Sequence, residues 1–167
     1  MERMKPIVFR EAQEADAALV LQFIRELADF EGLLHEVVAS EDLIREWVFQ
    51  KKGAQVLLGE VEGEPVGFAL YFRNFSTFLG RSGLYLEDLF VREAFRGRGY
   101  GKAFLRKLAQ IAVAEGCGRL EWWCLDENTS SVAFYRALSA EPMSDWTVFR
   151  LAGDSLQRMA EPEPETT

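Results

Sequence analysis

Histidine is nearly absent from this chain: among 167 residues only His35 carries an imidazole. A histidine-rich metal site is thereby excluded, and any histidine-dependent catalytic pair would rest on that one residue. Cysteine is scarce too. Cys117 and Cys124 match no metal or redox spacing and read as free thiols in a reducing cytoplasm. No apolar run approaches the ~20 residues of a membrane span. Met1-Glu2-Arg3-Met4-Lys5-Pro6 lacks a following apolar core, so the sequence predicts no secretory leader. Basic residues are outnumbered, 19 lysines and arginines against 27 acids, for a net charge of −8. Such a chain is ill suited to nonspecific nucleic-acid binding and favours cationic partners.

What is present is an ordinary globular composition, 49% hydrophobic and 28% charged, enough for one soluble domain with a substantial core. Residues 1–160 read as that single domain. Glu161 to Thr167, acidic and proline-spaced, reads as a disordered tail. Ile7-Val8-Phe9 is a short strand, and Ala17 to Phe30 carries one helical stripe at Val20, Phe23, Ile24, Leu27 and Ala28. Gly32 stops that helix. Ser40-Glu41-Asp42 caps a second helix through Val48, which Lys51-Lys52-Gly53 ends. Val56 to Val61 and Val66 to Phe72 form a hairpin, with Arg73 to Gly83 as a loop. Further strands are predicted at Leu84 to Val91, Arg119 to Leu125 and Trp146 to Leu151. Helices are predicted from Lys102 to about Glu115 and from Asp126-Glu127-Asn128-Thr129 through Leu138. A hairpin followed by βαβαβ indicates an α/β fold, a mixed central sheet with helices on both faces.

The centre of the chain is Leu84 to Gly101, LYLEDLFVREAFRGRGYG. A strand runs into a glycine-rich turn and then a helix start, where outward N–H groups and the helix dipole suit a pyrophosphate. It is not a Walker loop, because Ala103 follows Gly101-Lys102 and Arg96 stands where the first glycine belongs. Nor is it a dinucleotide fingerprint, since Gly97, Gly99 and Gly101 are spaced G-x-G-x-G in mid-chain. Arg96 to Gly101 instead resembles the acetyl-CoA signature of the GNAT superfamily of N-acetyltransferases, R-x-x-G-x-G after a strand. The Leu84-Tyr85-Leu86-Glu87-Asp88 strand, Glu26-Leu27-Ala28 with Phe30-Glu31, and Asn128 with Ser131 and Phe134-Tyr135 resemble the diamine (spermidine/spermine) N-acetyltransferases. Thialysine acetyltransferases share these segments.

The resemblance implies the GNAT acyl-CoA N-acyltransferase fold, acetyl-CoA as cosubstrate, no metal, direct transfer to a diamine, polyamine or thialysine-like amine, and commonly a homodimer. It implies main-chain contacts from Leu89, Phe90 and Val91 to the acetyl and pantetheine groups. The loop of Arg96, Gly97, Arg98, Gly99, Tyr100 and Gly101 would hold the pyrophosphate, chiefly through its amides, with Arg96 and Arg98 facing phosphate or only solvating the surface. Asn128, Thr129, Ser130 and Ser131 would cap the last helix and bond CoA. An amine arrives protonated, with a pKa near 10 by analogy with lysine. With one histidine in the chain, a carboxylate acting through water is the natural proton acceptor. Glu87, within an otherwise apolar strand, is either a paired core acid or that acceptor; the resemblance implies the latter. Asp88 reads as structural or secondary, on the opposite face if the pleat is regular. Tyr135 is implied as the acid that protonates the leaving sulfur, against core packing beside Phe134. Phe30 and Glu31 match a pair lining the amine pocket, and Glu121, Trp122 and Trp123, on the strand beside the central one, are either further borders of it or ordinary surface and core. Ser139, where the family commonly has glycine, and the loop before Trp146 depart from the pattern. The rival functions are acetylation of a protein or peptide amine and noncatalytic CoA sensing.

Overall fold

The computed structural model describes residues 4–163. The chain divides into two units, 1–123 and 124–167. The first holds a mixed five-stranded sheet in the order β1-β2-β3-β4-β5. Its strands are β1 (Val8–Glu11), β2 (Gln55–Val61), β3 (Glu64–Ser76), β4 (Arg81–Val91) and β5 (Leu120–Trp122). All neighbours are antiparallel except β4 and β5, which are joined by a crossover helix and run parallel. Helix α1 (Ala17–Phe30) precedes β2, as does the short α2 (Glu41–Ile44), which continues as a π-helix over Arg45–Gln50; α3 (Tyr100–Ala114) is the crossover.

Both faces of this sheet are covered. On one, Val20 and Phe23 of α1 with Ile44 and Val48 pack on Val56, Leu58, Phe68 and Phe90. Phe23 stacks on Phe68 at 5.4 Å between ring centroids. On the other face, α3 lies against the cross-strand pair Gly59 and Gly67. Their missing side chains make room for Phe104, whose ring would be 2.7 Å from a Cβ at Gly59. Tyr100 packs there on Val61 and Val66. Each large side chain so buried is worth about 2–3 kcal/mol, so the heart of β4 is held from both sides.

Three boundaries differ from those read in the sequence. The loop expected at Arg73 to Gly83 is mostly strand: β3 and β4 pair from Gly67↔Val91 to Ser76↔Arg81. The fifth strand keeps only three residues of the seven expected. Trp146 to Leu151 forms no strand, because the second unit offers only helices, α4 (Thr129–Ala137) and α5 (Gly153–Ala160), and no ladder to join. Helix α5 was not foreseen. Of the acidic tail, residues 161–163 are irregular and 164–167 lie outside the described residues.

Candidate active site

The β4 strand shapes the site through one irregularity. Leu70 pairs with Asp88 and Tyr71 with Leu86, so Glu87 is left without a partner in a β-bulge. A bulge adds one residue to one strand and resets the alternation beyond it. Glu87 is exposed there, while Asp88 turns in beside Leu70 and is half-buried. Burial first, and then the charges of Glu87 and Glu31, push the Asp88 carboxyl up to about 6. Asp88, expected to be structural or secondary, is thus the carboxyl pushed furthest up among the described residues. Glu31, the residue capping the end of α1, is exposed. The structure thus brings Glu31, Glu87 and Asp88 into one acidic neighbourhood.

Aromatic rings lie on the earlier half of β4. Tyr85 packs on Phe72 at 5.1 Å and edge-on to Trp123 at 6.1 Å. Its phenol is pushed up to about 12, by burial first and then by Glu87 and Glu121. Glu121, opposite Tyr85 in the parallel ladder, accepts from Asn74 Nδ2 at 3.3 Å. Trp122 is in register with Leu86. Of the expected amine-pocket residues, Glu87, Glu121 and Trp123 are therefore linked through Tyr85, and Glu87 and Glu31 through Asp88.

The next residues of β4 serve a different cleft. Leu89 and Val91 line a cavity of about 250 Å³ together with Phe95, Arg96, Gly97, Gly99, Tyr100 and Gly101. Gly97 and Gly99 have φ of +72° and +80°, a conformation that side chains strain against. Gly99 is the N-cap of α3, whose first-turn amides have no intrahelical acceptor. A Cβ on Gly97 or Gly101 would meet no heavy atom within 4 Å. Open backbone, unsatisfied amides and the positive end of a 15-residue helix fit a pyrophosphate. Phe95 was not anticipated.

The four other expected donor-site residues are placed as follows. Phe90 is buried against Phe23, leaving only its main chain for a ligand. The Tyr100 ring is buried and its hydroxyl donates to the Lys5 carbonyl at 2.7 Å. Arg96 donates from Nε to the Val91 carbonyl at 2.8 Å, with its guanidinium 4.0 Å above the Phe30 ring and 5.3 Å from Phe90. Arg98 is exposed, 5.6 Å over Phe95.

The second unit carries the other expected residues. Asn128 caps α4 by accepting from the Ser131 amide at 3.2 Å, and it accepts from the Ser130 hydroxyl at the same distance. Thr129 opens the helix. Tyr135 is half-buried and its phenol is raised, by burial and by Cys124. It therefore stays protonated at neutral pH, as a proton donor must. Ser139, at the C-terminal end of α4, adopts φ +65°, the left-handed stop that glycine occupies without strain. Both cysteines are free thiols. Among the described residues, no cluster of three or more His, Cys, Asp or Glu side chains is disposed to hold a metal ion, and no helix is long and apolar enough to cross a membrane.

A mixed sheet with an open cleft at its strand–glycine turn–helix junction is the frame of the site. The sequence profile of the Acetyltransferase (GNAT) family matches residues 21–139, and the chain belongs to that family. It is 35% identical to the thialysine N-epsilon-acetyltransferase of Bos taurus, across 92% of this chain and 97% of the relative. It is 29% identical to the L-ornithine N5-acetyltransferase NATA1 of Arabidopsis thaliana, across 89% and 85%. Among solved structures, an integron cassette protein from the mobile metagenome of V. cholerae superposes with a TM-score of 0.78 at 26% identity, covering 93% of this chain and 98% of that one. The protein is an acetyltransferase, and the acetyl donor of its family is acetyl-CoA.

Proposed function

We propose that this protein transfers acetyl from acetyl-CoA directly to the terminal amine of a small lysine-like or diamine substrate. The observation that carries this reading is the acidic neighbourhood of Glu31, Glu87 and Asp88 at the β4 bulge, one residue along the strand from the wall of the donor cleft. A cationic chain with a second charged group finds there both a carboxylate for its remote end and one for the reacting nitrogen. The relatives named for thialysine and ornithine act on molecules of this shape, which supports the same class here.

In this reading the glycine-turn amides hold the pyrophosphate and the β4 main chain from Leu89 to Val91 orients the thioester. Glu87, at the bulge and open to water, takes the ammonium proton through a water molecule. The neutral amine attacks the carbonyl carbon, the C–S bond breaks as Tyr135 gives its proton to the departing thiolate, and the second proton lost by the attacking nitrogen passes through water to restore Tyr135. Asn128, Thr129, Ser130 and Ser131 would bond CoA. We infer further that residues 1–160 act as one catalytic domain, which the family match across both units supports. The protein is proposed to work as a homodimer in the cytoplasm.

The test is a panel assay of thiol release from acetyl-CoA with thialysine, lysine, ornithine, diamines, polyamines and short peptides. Turnover confined to small amines with a second charged group is expected. Turnover only with peptides would make it a peptide acetyltransferase, and acetyl-CoA binding without turnover would make it a sensor.

A further inference from the structure

Two arginines in the connection between β4 and α3 are four residues apart, Arg92 and Arg96. Two residues on the last turns of α1 have the same spacing, Glu26 and Phe30. Positions i and i+4 of a helix lie one above the other, and the pairs meet in order. Arg92 Nε donates to Glu26 at 3.1 Å and its NH1 to the Pro65 carbonyl at 2.8 Å, with its guanidinium 4.7 Å over Phe23. One turn on, Arg96 lies 4.0 Å over Phe30. The connection bearing the glycine turn is thus fastened at two points to the helix that ends in Glu31.

The two fastenings differ in kind. Arg92 sits among a buried ring, a carboxylate and a carbonyl, so it is structural. Phe30 is 66% exposed, so core packing does not hold it and its stacking partner is Arg96. A guanidinium can stack by its face while its N–H edge bonds an anion. Arg96 already donates to the Val91 carbonyl and lines the donor cleft.

We propose that Arg96 is a positioning residue that couples the two subsites, its stack on Phe30 transmitting occupancy of the donor cleft to the Glu31 end of the amine pocket. The inference rests on the function proposed above. An anionic donor fixes the guanidinium, the fixed guanidinium orders Phe30, and the ordered helix end presents Glu31 to the amine. Coupling of this kind is reciprocal, so bound amine must tighten the donor by the same factor.

Coenzyme A lacks the acetyl group, so it forms a ternary complex with an amine without turnover. Its Kd is measured by calorimetry alone and with saturating 1,4-diaminobutane or thialysine, in wild type, Arg96→Gln, Arg96→Lys and Phe30→Leu, each checked for native circular dichroism. The ratio of the two Kd values is the readout, and each variant is its own reference, so a loss of binding to either ligand alone cancels. Wild type should give a ratio on the order of 5–10. Arg96→Gln and Phe30→Leu should bring it below about 2, and Arg96→Lys, which keeps a cation over the ring, should fall between. A ratio of one in wild type, or the same ratio in wild type and in folded Arg96→Gln and Phe30→Leu, overturns the coupling while leaving the function standing. Failure of wild type to bind coenzyme A at all would overturn both.

Discussion

Replacing Asp88 with asparagine should make the protein more stable, and by an amount that depends on pH in a calculable way. The carboxyl titrates at about 6 in the folded protein against an ordinary 3.8, because burial and the charges of Glu87 and Glu31 disfavour its ionised form. The folded state therefore holds the proton more tightly than the unfolded chain between these two values. Stability rises as pH falls through that window, opposite to the behaviour of a salt-bridged acid. Above pH 7 the ionised Asp88 costs at most ~3 kcal/mol, from the displacement of its titration. Asparagine has the same shape and never ionises. Urea unfolding of Asp88→Asn and wild type should differ by ~2–3 kcal/mol at pH 7.5, by roughly half that at pH 5, and by ~0.5 kcal/mol at pH 4. A gap that is constant with pH, or a variant less stable than wild type at pH 7.5, would refute the view that Asp88 is held in a repulsive acidic site.

Gly101→Ala adds a methyl inside α3 where φ is unstrained and no atom lies within 4 Å. Thermal stability should rise, by up to ~1 kcal/mol, while acetyl-CoA affinity measured by calorimetry falls about tenfold or more, because the backbone must approach the pyrophosphate closely. Tyr135→Phe should lower kcat by about 100- to 10,000-fold with little change in acetyl-CoA binding; near-normal turnover would return Tyr135 to a packing role. Glu31→Gln should reduce kcat/KM for a diamine about 2- to 5-fold relative to the monoamine of equal length, with added salt narrowing the difference. Ser139→Gly relieves a left-handed serine and should stabilise the protein by ~1 kcal/mol in chemical denaturation.

The parts legible in the sequence are those governed by local chemistry. The stripe from Val20 to Ala28 is a helix, the turn at Glu62-Gly63 joins two strands, and Gly97 to Gly101 is the strand-to-helix junction expected. The glycines read as a turn whose outward N–H groups suit a pyrophosphate. The structure adds that Gly97 and Gly99 are also needed for their own backbone, which leaves Gly101 as the clean probe of the cleft. What was not legible depends on partners distant in sequence. Nothing in Leu86-Glu87-Asp88-Leu89 announces a bulge, and only the register against Leu70 and Tyr71 reveals that Asp88, not Glu87, is the half-buried acid. Arg96 and Arg98 read as facing either phosphate or solvent, and only the fold shows that Arg96 also stacks on a ring 66 residues earlier. Trp146 to Leu151 has the alternation and β-propensity of a strand, but a strand exists only where a ladder receives it. Ser139 was noticed as a departure from glycine, and its positive φ supplies the reason.

The central claim is direct transfer of acetyl from acetyl-CoA to a small amine, and isotope tracing tests it most directly. The protein is incubated with acetyl-CoA labelled with 13C in the acetyl group and with thialysine, and the products are resolved by mass spectrometry. The account predicts label on the side-chain nitrogen of thialysine, one coenzyme A released for each amine acetylated, and no labelled protein. Coenzyme A released without labelled amine, or label accumulating on the protein as an intermediate, would contradict it.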